Sequence, residues 1–345
     1  MRVNWMSNSY PQGEGYGRYS AAMILALDRQ GIDAFPVLRD HLTMPDWMRA
    51  KAGVDWTHLT IACMPPYYLP DYDFPGRVWL MTMTEGGAMP EGWADWIHGA
   101  NVERAIVPCE HNRRVFQAEL DVPVHVVQGG TDPNEYPVTS FSRNGYPYTF
   151  LALGDRGNRK GWAEVWQAFY RYFGEADDIG DVRLVVKSRP DGNKVLERME
   201  SATTDPRIDI WIDDVEHPSE IWKRADCVVI PSRSEGWGMP HREAAMMGKP
   251  VITTKYSGLD DGHTEMWSLP ITDYVFEEIN LPNDPAINGD WVKVDIDDLG
   301  ELMRWCYENR EKAANYGQNA AQWLRENQTW DQAARAMTTL LQEYV

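Results

Sequence analysis

The chain has 345 residues, more than one ordinary domain of about 100 to 200 residues accommodates, so two domains are expected. Hydrophobic residues make up 43% of it and aromatics 12%, enough for two buried cores, which excludes global disorder. With 33 basic against 52 acidic residues the net charge is -19, so most of the surface should repel nucleic acid and anionic lipid, and no nucleic acid is expected as a polyanionic partner.

No apolar run approaches the roughly 18 residues of a membrane-spanning helix, and Met1 leads through Arg2 into a strand-like stretch instead of a signal peptide. The expectation is a soluble, cytoplasmic protein with no membrane span. Cys63, Cys109, Cys227 and Cys306 lie far apart, without the spacing of a zinc site or a disulfide scaffold, and read as buried thiols in a reducing compartment.

In chain order, a strand is expected at Val3 to Met6, then a glycine-bearing loop, then an amphipathic helix from about Tyr16 to Gln30 ending at Gly31. Strands follow at Ala34 to Leu38, His58 to Met64, Arg77 to Met83, Glu103 to Val107 and Val124 to Val127, with helical stretches near Trp93 and from Glu110 to Glu119. The pattern lapses into Pro, Ser, Thr, Asn and Gly between Tyr136 and Pro147, which marks a domain boundary. Beyond it the alternation resumes, with strands at Tyr148 to Leu153, Arg183 to Lys187, Ile208 to Ile212, Cys227 to Ile230 and Val251 to Thr254. Helices are expected between them at Trp162 to Phe173, near Val195, at Ser219 to Arg224 and at His241 to Met247; three more close the chain after Asp295, the last at about Thr329 to Tyr344. Such alternation predicts two doubly wound α/β domains with mainly parallel sheets, facing one another across a cleft, with chemistry in the loops after the strands.

Two segments stand out chemically. Between Gly154 and Gly161, Arg156, Arg159 and Lys160 stand against Asp155 alone; a cationic loop in an acidic protein points to a small anionic ligand, the alternative being a solvated turn. From Asp226 to Ile252, a buried strand runs into a loop bearing Glu235, Gly236, Trp237 and Gly238, and Pro240 then opens a helix where its missing N–H is harmless. Free amides from Gly238 to Arg242, Met239 among them, make a natural anion site, glycines allow close approach, and the carboxylates of Glu235 and Glu243 can flank a ligand rich in hydroxyls.

This second segment resembles the retaining glycosyltransferases of family 4, the group 1 glycosyltransferases with the two-domain GT-B fold. Their pattern is close to E-G-[FW]-G-[LM]-P-x-x-E-A, and Glu235 to Glu243 reproduces it nearly letter for letter. Arg159-Lys160-Gly161 is similar to the family's Arg-Lys-Gly phosphate contact, Gln128 to Asp132 to its Gly-x-Asp, and Thr329 to Ala334 to its final helix. The match is strong over residues 148 to 340 and weaker before them. It implies an amino-terminal Rossmann-like acceptor-side domain at 1–136, a nucleotide-sugar domain at 137–328 and a terminal helix at 329–345 crossing back.

The resemblance implies that Glu235 contacts the transferred sugar, Glu243 the ribose, Gly236 through Met239 the sugar and diphosphate, and Arg159 and Lys160 the departing diphosphate. The family often has Arg where Asp155 stands, so Arg156 is the candidate substitute, with Lys187 a further phosphate candidate or a structural lysine. Gly15 and Gly17 are similar to the family's glycine-rich first loop, and Glu85 falls in a segment resembling M-x-E-[ST], where it could hold the acceptor or the reacting centre. His241 is read as a helix-surface residue, and the eight histidines show no metal spacing.

The expected donor is a UDP-, GDP- or ADP-linked sugar, with no further cofactor or metal, and the acceptor a sugar, glycan, lipid or other hydroxyl. Alternatives are a GT-B sugar-nucleotide epimerase or hydrolase, or a catalytically silent sugar-nucleotide-binding protein.

Overall fold

A computed structural model describes residues 1–10, 15–37, 44–139, 147–154, 158–174, 181–188, 205–279 and 287–345. The chain divides into two compact units: Met1–Gly130, Glu278–Asp290 and Gln328–Val345 form one, and Thr131–Glu277 with Trp291–Asn327 form the other.

The first unit holds β1 (Arg2–Ser7), α1 (Gly15–Arg29), β2 (Asp33–Pro36), α2 (Asp46–Lys51), β3 (Thr60–Cys63), β4 (Val78–Met81), α3 (Trp93–Gly99), β5 (Val102–Val107), α4 (Glu110–Gln117) and β6 (Val124–Val126). Its six strands run in the order β2-β1-β3-β4-β5-β6, every pair parallel. One face is packed by Trp93 and Ile97 of α3 and Phe116 of α4 against Ala62, Leu80 and Ala105. The last helix, α11 (Trp330–Tyr344), belongs to this unit, and its Trp330 meets Tyr19 of α1 edge to face at 4.9 Å. It starts at a capping box, in which Gln332 Oε1 accepts the Thr329 N–H at 2.6 Å and Thr329 Oγ1 accepts the Gln332 N–H.

The second unit holds β7 (Tyr148–Leu153), α5 (Trp162–Phe173), β8 (Val182–Lys187), β9 (Ile208–Trp211), α6 (Ser219–Lys223), β10 (Cys227–Ile230), α7 (Met239–Met246), β11 (Val251–Thr254), α8 (Thr264–Trp267), β12 (Leu269–Ile271), α9 (Ile296–Glu308) and α10 (Arg310–Asn327). Its parallel sheet is ordered β12-β11-β10-β7-β8-β9. Successive side chains enter opposite cores: Tyr148, Phe150 and Ala152 pack towards α5 and α9, whereas Leu151 packs towards α6, α7 and α10. Burial on both faces is why the central strand β10 reads as an unbroken apolar run. Both sheets confirm the doubly wound, Rossmann-like expectation for each unit.

Several local expectations change. Gly15 and Gly17 are the first turn of α1 and not a loop before it. The expected helix near Val195 lies outside the described residues. A two-stranded ribbon, β13 (Tyr274–Glu278) with β14 (Asp290–Val294), and the edge strand β12 were not anticipated. The strand expected at Ala34 to Leu38 is β2, and proline explains why β12 was missed: Pro36 and Pro270 both occupy sheet edges, where a missing ladder donor is tolerated. All four cysteines are buried and free, in line with the buried-thiol reading.

Candidate active site

In the second sheet the chain builds outward from β7 through β8 to β9, then returns to place β10 on the other side of β7. The loops after β7 and β10 therefore diverge at the point where strand order reverses, which is where ligands of open α/β sheets bind. The β7 loop delivers Arg159 and Lys160, and the β10 loop delivers Glu235. The loops approach so closely that a Cβ on Gly161 would sit 2.3 Å from the Pro231 carbonyl oxygen, and Gly161 has φ +72°. Only glycine meets both conditions.

The three charged side chains form one cluster, with Lys160 and Glu235 buried and Arg159 partly so. Lys160 Nζ donates to Glu235 Oε1 at 2.5 Å, and Arg159 Nη1 lies 3.1 Å from Glu235 Oε2. Ser232 Oγ donates to Glu235 Oε1 at 2.6 Å, and Arg159 Nη1 also donates to the Ser234 carbonyl at 3.0 Å. The Glu235 backbone is held as well: its N–H donates to Ser257 Oγ at 2.8 Å and its carbonyl accepts from Gly258 at 2.9 Å. Glu235 is 3% exposed and Lys160 8%. Burial alone would raise the Glu235 carboxyl, but Arg159 and Lys160 outweigh it and hold the group well below the usual carboxylate range. At neutral pH Glu235 is thus an anion, an acceptor of hydrogen bonds and not a proton donor.

Behind it stands His241, expected on the helix surface but in fact fully buried in α7. Its Nε2 lies 3.1 Å from the Ile230 carbonyl and 3.3 Å from Ser232 Oγ. Burial, with Lys160 and Arg242 nearby, pushes its pKa down to about 3 despite Glu235, so the ring is neutral. The surface reading failed because the helix is walled on all sides from His241 to Met246.

Gly238 caps α7 at φ +79°, and Met239 is the helix's first residue. Trp237 is buried, with the Arg242 guanidinium 3.6 Å from its ring centroid. Arg242 also donates to the carbonyls of Trp237 and Gly258 and pairs with Asp261 at 2.7 Å, both side chains fully buried. It fixes the 237–239 turn, a role sequence reading missed because Asp261 is 19 residues away. Glu243 is buried in α7. Lys187, at the end of β8, donates to the Ser188 carbonyl and stands 5.1 Å over the Trp211 ring. Arg156 lies outside the described residues.

In the first unit, Glu85 is half-buried in the segment after β4. That segment is anchored by α1 and α4: the Met83 N–H donates to Tyr16 Oη at 3.2 Å, the Thr84 N–H to Asn112 Oδ1 at 2.6 Å, and His111 Nε2 lies 3.1 Å from the Gly86 carbonyl. Gly17 is buried and Gly15 exposed in the first turn of α1. Among the described residues no group of three or more His, Cys, Asp or Glu could hold a metal, and no helix is long and apolar enough to cross a membrane.

Residues 147–276 match the family described as Glycosyl transferases group 1, and so carry a group 1 glycosyltransferase domain. No curated protein matches the chain in sequence. Among solved structures, sucrose-phosphate synthase from Thermosynechococcus elongatus superposes with a TM-score of 0.71 at 13% identity, covering 99% of each chain. HepE from Anabaena, in complex with UDP-glucose, gives 0.69 at 13% identity over 99% of this chain and 100% of that one. The α,α-trehalose 6-phosphate synthase of Burkholderia multivorans gives 0.65 at 10% identity, over 99% and 96%. The chain has the GT-B fold that these share.

Proposed function

We propose that this GT-B protein is a retaining glycosyltransferase that moves a sugar from a nucleoside-diphosphate sugar to an acceptor hydroxyl. The observation that carries the reading is the cluster of Arg159, Lys160 and Glu235 at the reversal point of the second sheet. The group 1 match over 147–276 covers these residues, and HepE, which shares the fold, forms complexes with UDP and UDP-glucose.

Arg159 and Lys160 carry eight N–H donors between them, three on the ammonium and five on the guanidinium, so serving Glu235 does not exhaust either. A diphosphate entering this loop would share both cations. As the bond to the sugar breaks, charge builds on the phosphate, and the attraction grows most in the transition state, where it accelerates the reaction. Glu235, ionised and fixed, would accept hydrogen bonds from the sugar hydroxyls and favour positive charge at the anomeric carbon. To act as a nucleophile it would have to surrender two cations. Same-face attack by the acceptor, with the departing phosphate taking its proton and the configuration retained, is what the resemblance to the family 4 enzymes implies. Glu243 is proposed for the ribose, the Gly236 to Met239 amides and Lys187 for the diphosphate, Gly15 and Gly17 for the border of donor diphosphate and acceptor, and Glu85 for the acceptor or the reacting centre.

The test is turnover of UDP-, GDP- and ADP-sugars with hydroxyl acceptors, followed by NMR of the product's anomeric centre. Transfer with inverted configuration would reject the mechanism. Release of free sugar alone, with no glycoside formed, would make the protein a hydrolase.

A further inference from the structure

The cluster of Arg159, Lys160 and Glu235 exists only while two loops, 75 residues apart in sequence, stay in register. Glu164, on α5, is 3% exposed and takes no part in the chemistry proposed above. Its neighbours on the helix, Trp162, Val165, Trp166, Ala168 and Phe169, are buried in an apolar core, where leucine would fill the place without desolvating a charge. Instead its two oxygens reach one loop each. Oε2 accepts from Asn158 Nδ2 at 2.6 Å, next to Arg159, and Oε1 accepts from Arg233 Nη2, two residues before Glu235. The same two residues tie further outward. Asn158 Oδ1 accepts the Ala163 N–H at 3.0 Å, the Arg233 N–H donates to the Arg159 carbonyl at 2.7 Å, and Arg233 Nη1 donates to Glu277 at 2.6 Å.

We propose that Glu164 is a positioning residue whose carboxylate clamps the 158–161 and 232–238 loops together, and thereby sets the distance between the Arg159–Lys160 cations and Glu235. A buried ion pair adds little net stability over a well-packed apolar pair but does fix one arrangement, which is the property a two-loop site requires. The proposal rests on the reading of these loops as the donor site, but its main test needs no ligand.

Amide hydrogen exchange on the full chain separates a clamp from a structural pair. Glu164→Gln leaves one acceptor oxygen for two donors, so its NH2 must face either Asn158 or Arg233 and one half of the bridge breaks. Both loops should then exchange at least tenfold faster, while β7, β8 and β10 keep wild-type protection. The double variant Glu164→Leu/Arg233→Met should recover the melting temperature but not the loop protection, and it answers the question if the single variant fails to fold. Uniformly faster exchange, unchanged loops, or loops restored by the double variant would each overturn the clamp. In calorimetry with UDP, GDP and ADP, the diphosphate that binds wild type should bind Glu164→Gln about tenfold more weakly. If none binds wild type, the donor-site reading fails while the exchange result still decides the clamp.

Discussion

The charge on Glu235 governs how the two motif glutamates should differ when altered. Glu235→Gln removes the anion that Arg159 and Lys160 share, leaving both cations freer for phosphate. Affinity for a nucleoside diphosphate should hold or rise, while transfer slows by about a hundredfold, because the lost interaction acts mainly in the transition state. Glu243→Gln should instead weaken nucleotide and nucleotide sugar alike, since both carry the ribose. Calorimetry beside transfer kinetics checks this, and loss of diphosphate binding in Glu235→Gln would reverse the assigned roles. His241 gives a pH signature. Its folded pKa is depressed from 6.5 to about 3, so between those values the unfolded chain binds the extra proton. Stability should fall as pH drops through that window, by up to about 1.4 kcal/mol per pH unit for this one group. Denaturant titrations should show His241→Gln with a flatter acid limb; an identical slope would place the acid sensitivity elsewhere.

At the scale of elements, the turn into α7 depends on Arg242. Its fully buried pair with Asp261 is flanked by Trp237 and Trp267, with centroids 3.6 and 4.6 Å from the guanidinium. Arg242→Ala strands the Asp261 carboxylate and should cost about 3 to 5 kcal/mol, measured by denaturant unfolding, whereas a loss below about 1 kcal/mol would show the pair to be dispensable. Gly161→Ala should damage the site more than the fold, because the new methyl group collides with the Pro231 carbonyl and forces the two loops apart. The Glu235 to Glu243 motif was readable because a glycine, an aromatic and a proline stand at fixed offsets around a strand-to-helix turn. The supports of that turn were not. Arg242 with Asp261 and Glu164 with Arg233 are joined by the sheet's topology and not by sequence spacing, and a buried arginine or glutamate looks, in sequence, like any surface charge. The edge strand carrying Pro270 was lost for the opposite reason: the local signal against a strand is outweighed by pairing with one neighbour.

Across the molecule, an acidic chain of net charge -19 sets two cations, Arg159 and Lys160, around one buried carboxylate in its second unit. The surrounding field repels polyanions in general, so attraction for a diphosphate must come from short-range contacts in that loop. Arg159, Lys160 and the α7 amides are proposed to meet the leaving group's charge without a metal, so EDTA should leave transfer within about twofold; abolition of turnover, restored by magnesium or manganese, would refute that part of the mechanism. The doubly wound organisation of both units was legible from the alternation of apolar strand and helix patterns, since burial on both faces leaves a strong trace in composition.

The claim on which the rest depends is that Lys160 belongs to a diphosphate site, and calorimetric titration of UDP, GDP and ADP into wild type and Lys160→Ala tests it most directly. A charge-assisted phosphate contact is worth roughly 1.5 to 3 kcal/mol, so the diphosphate that binds wild type should bind Lys160→Ala at least tenfold more weakly. Equal affinity in the two proteins, or no binding of any of the three to wild type, would contradict the account.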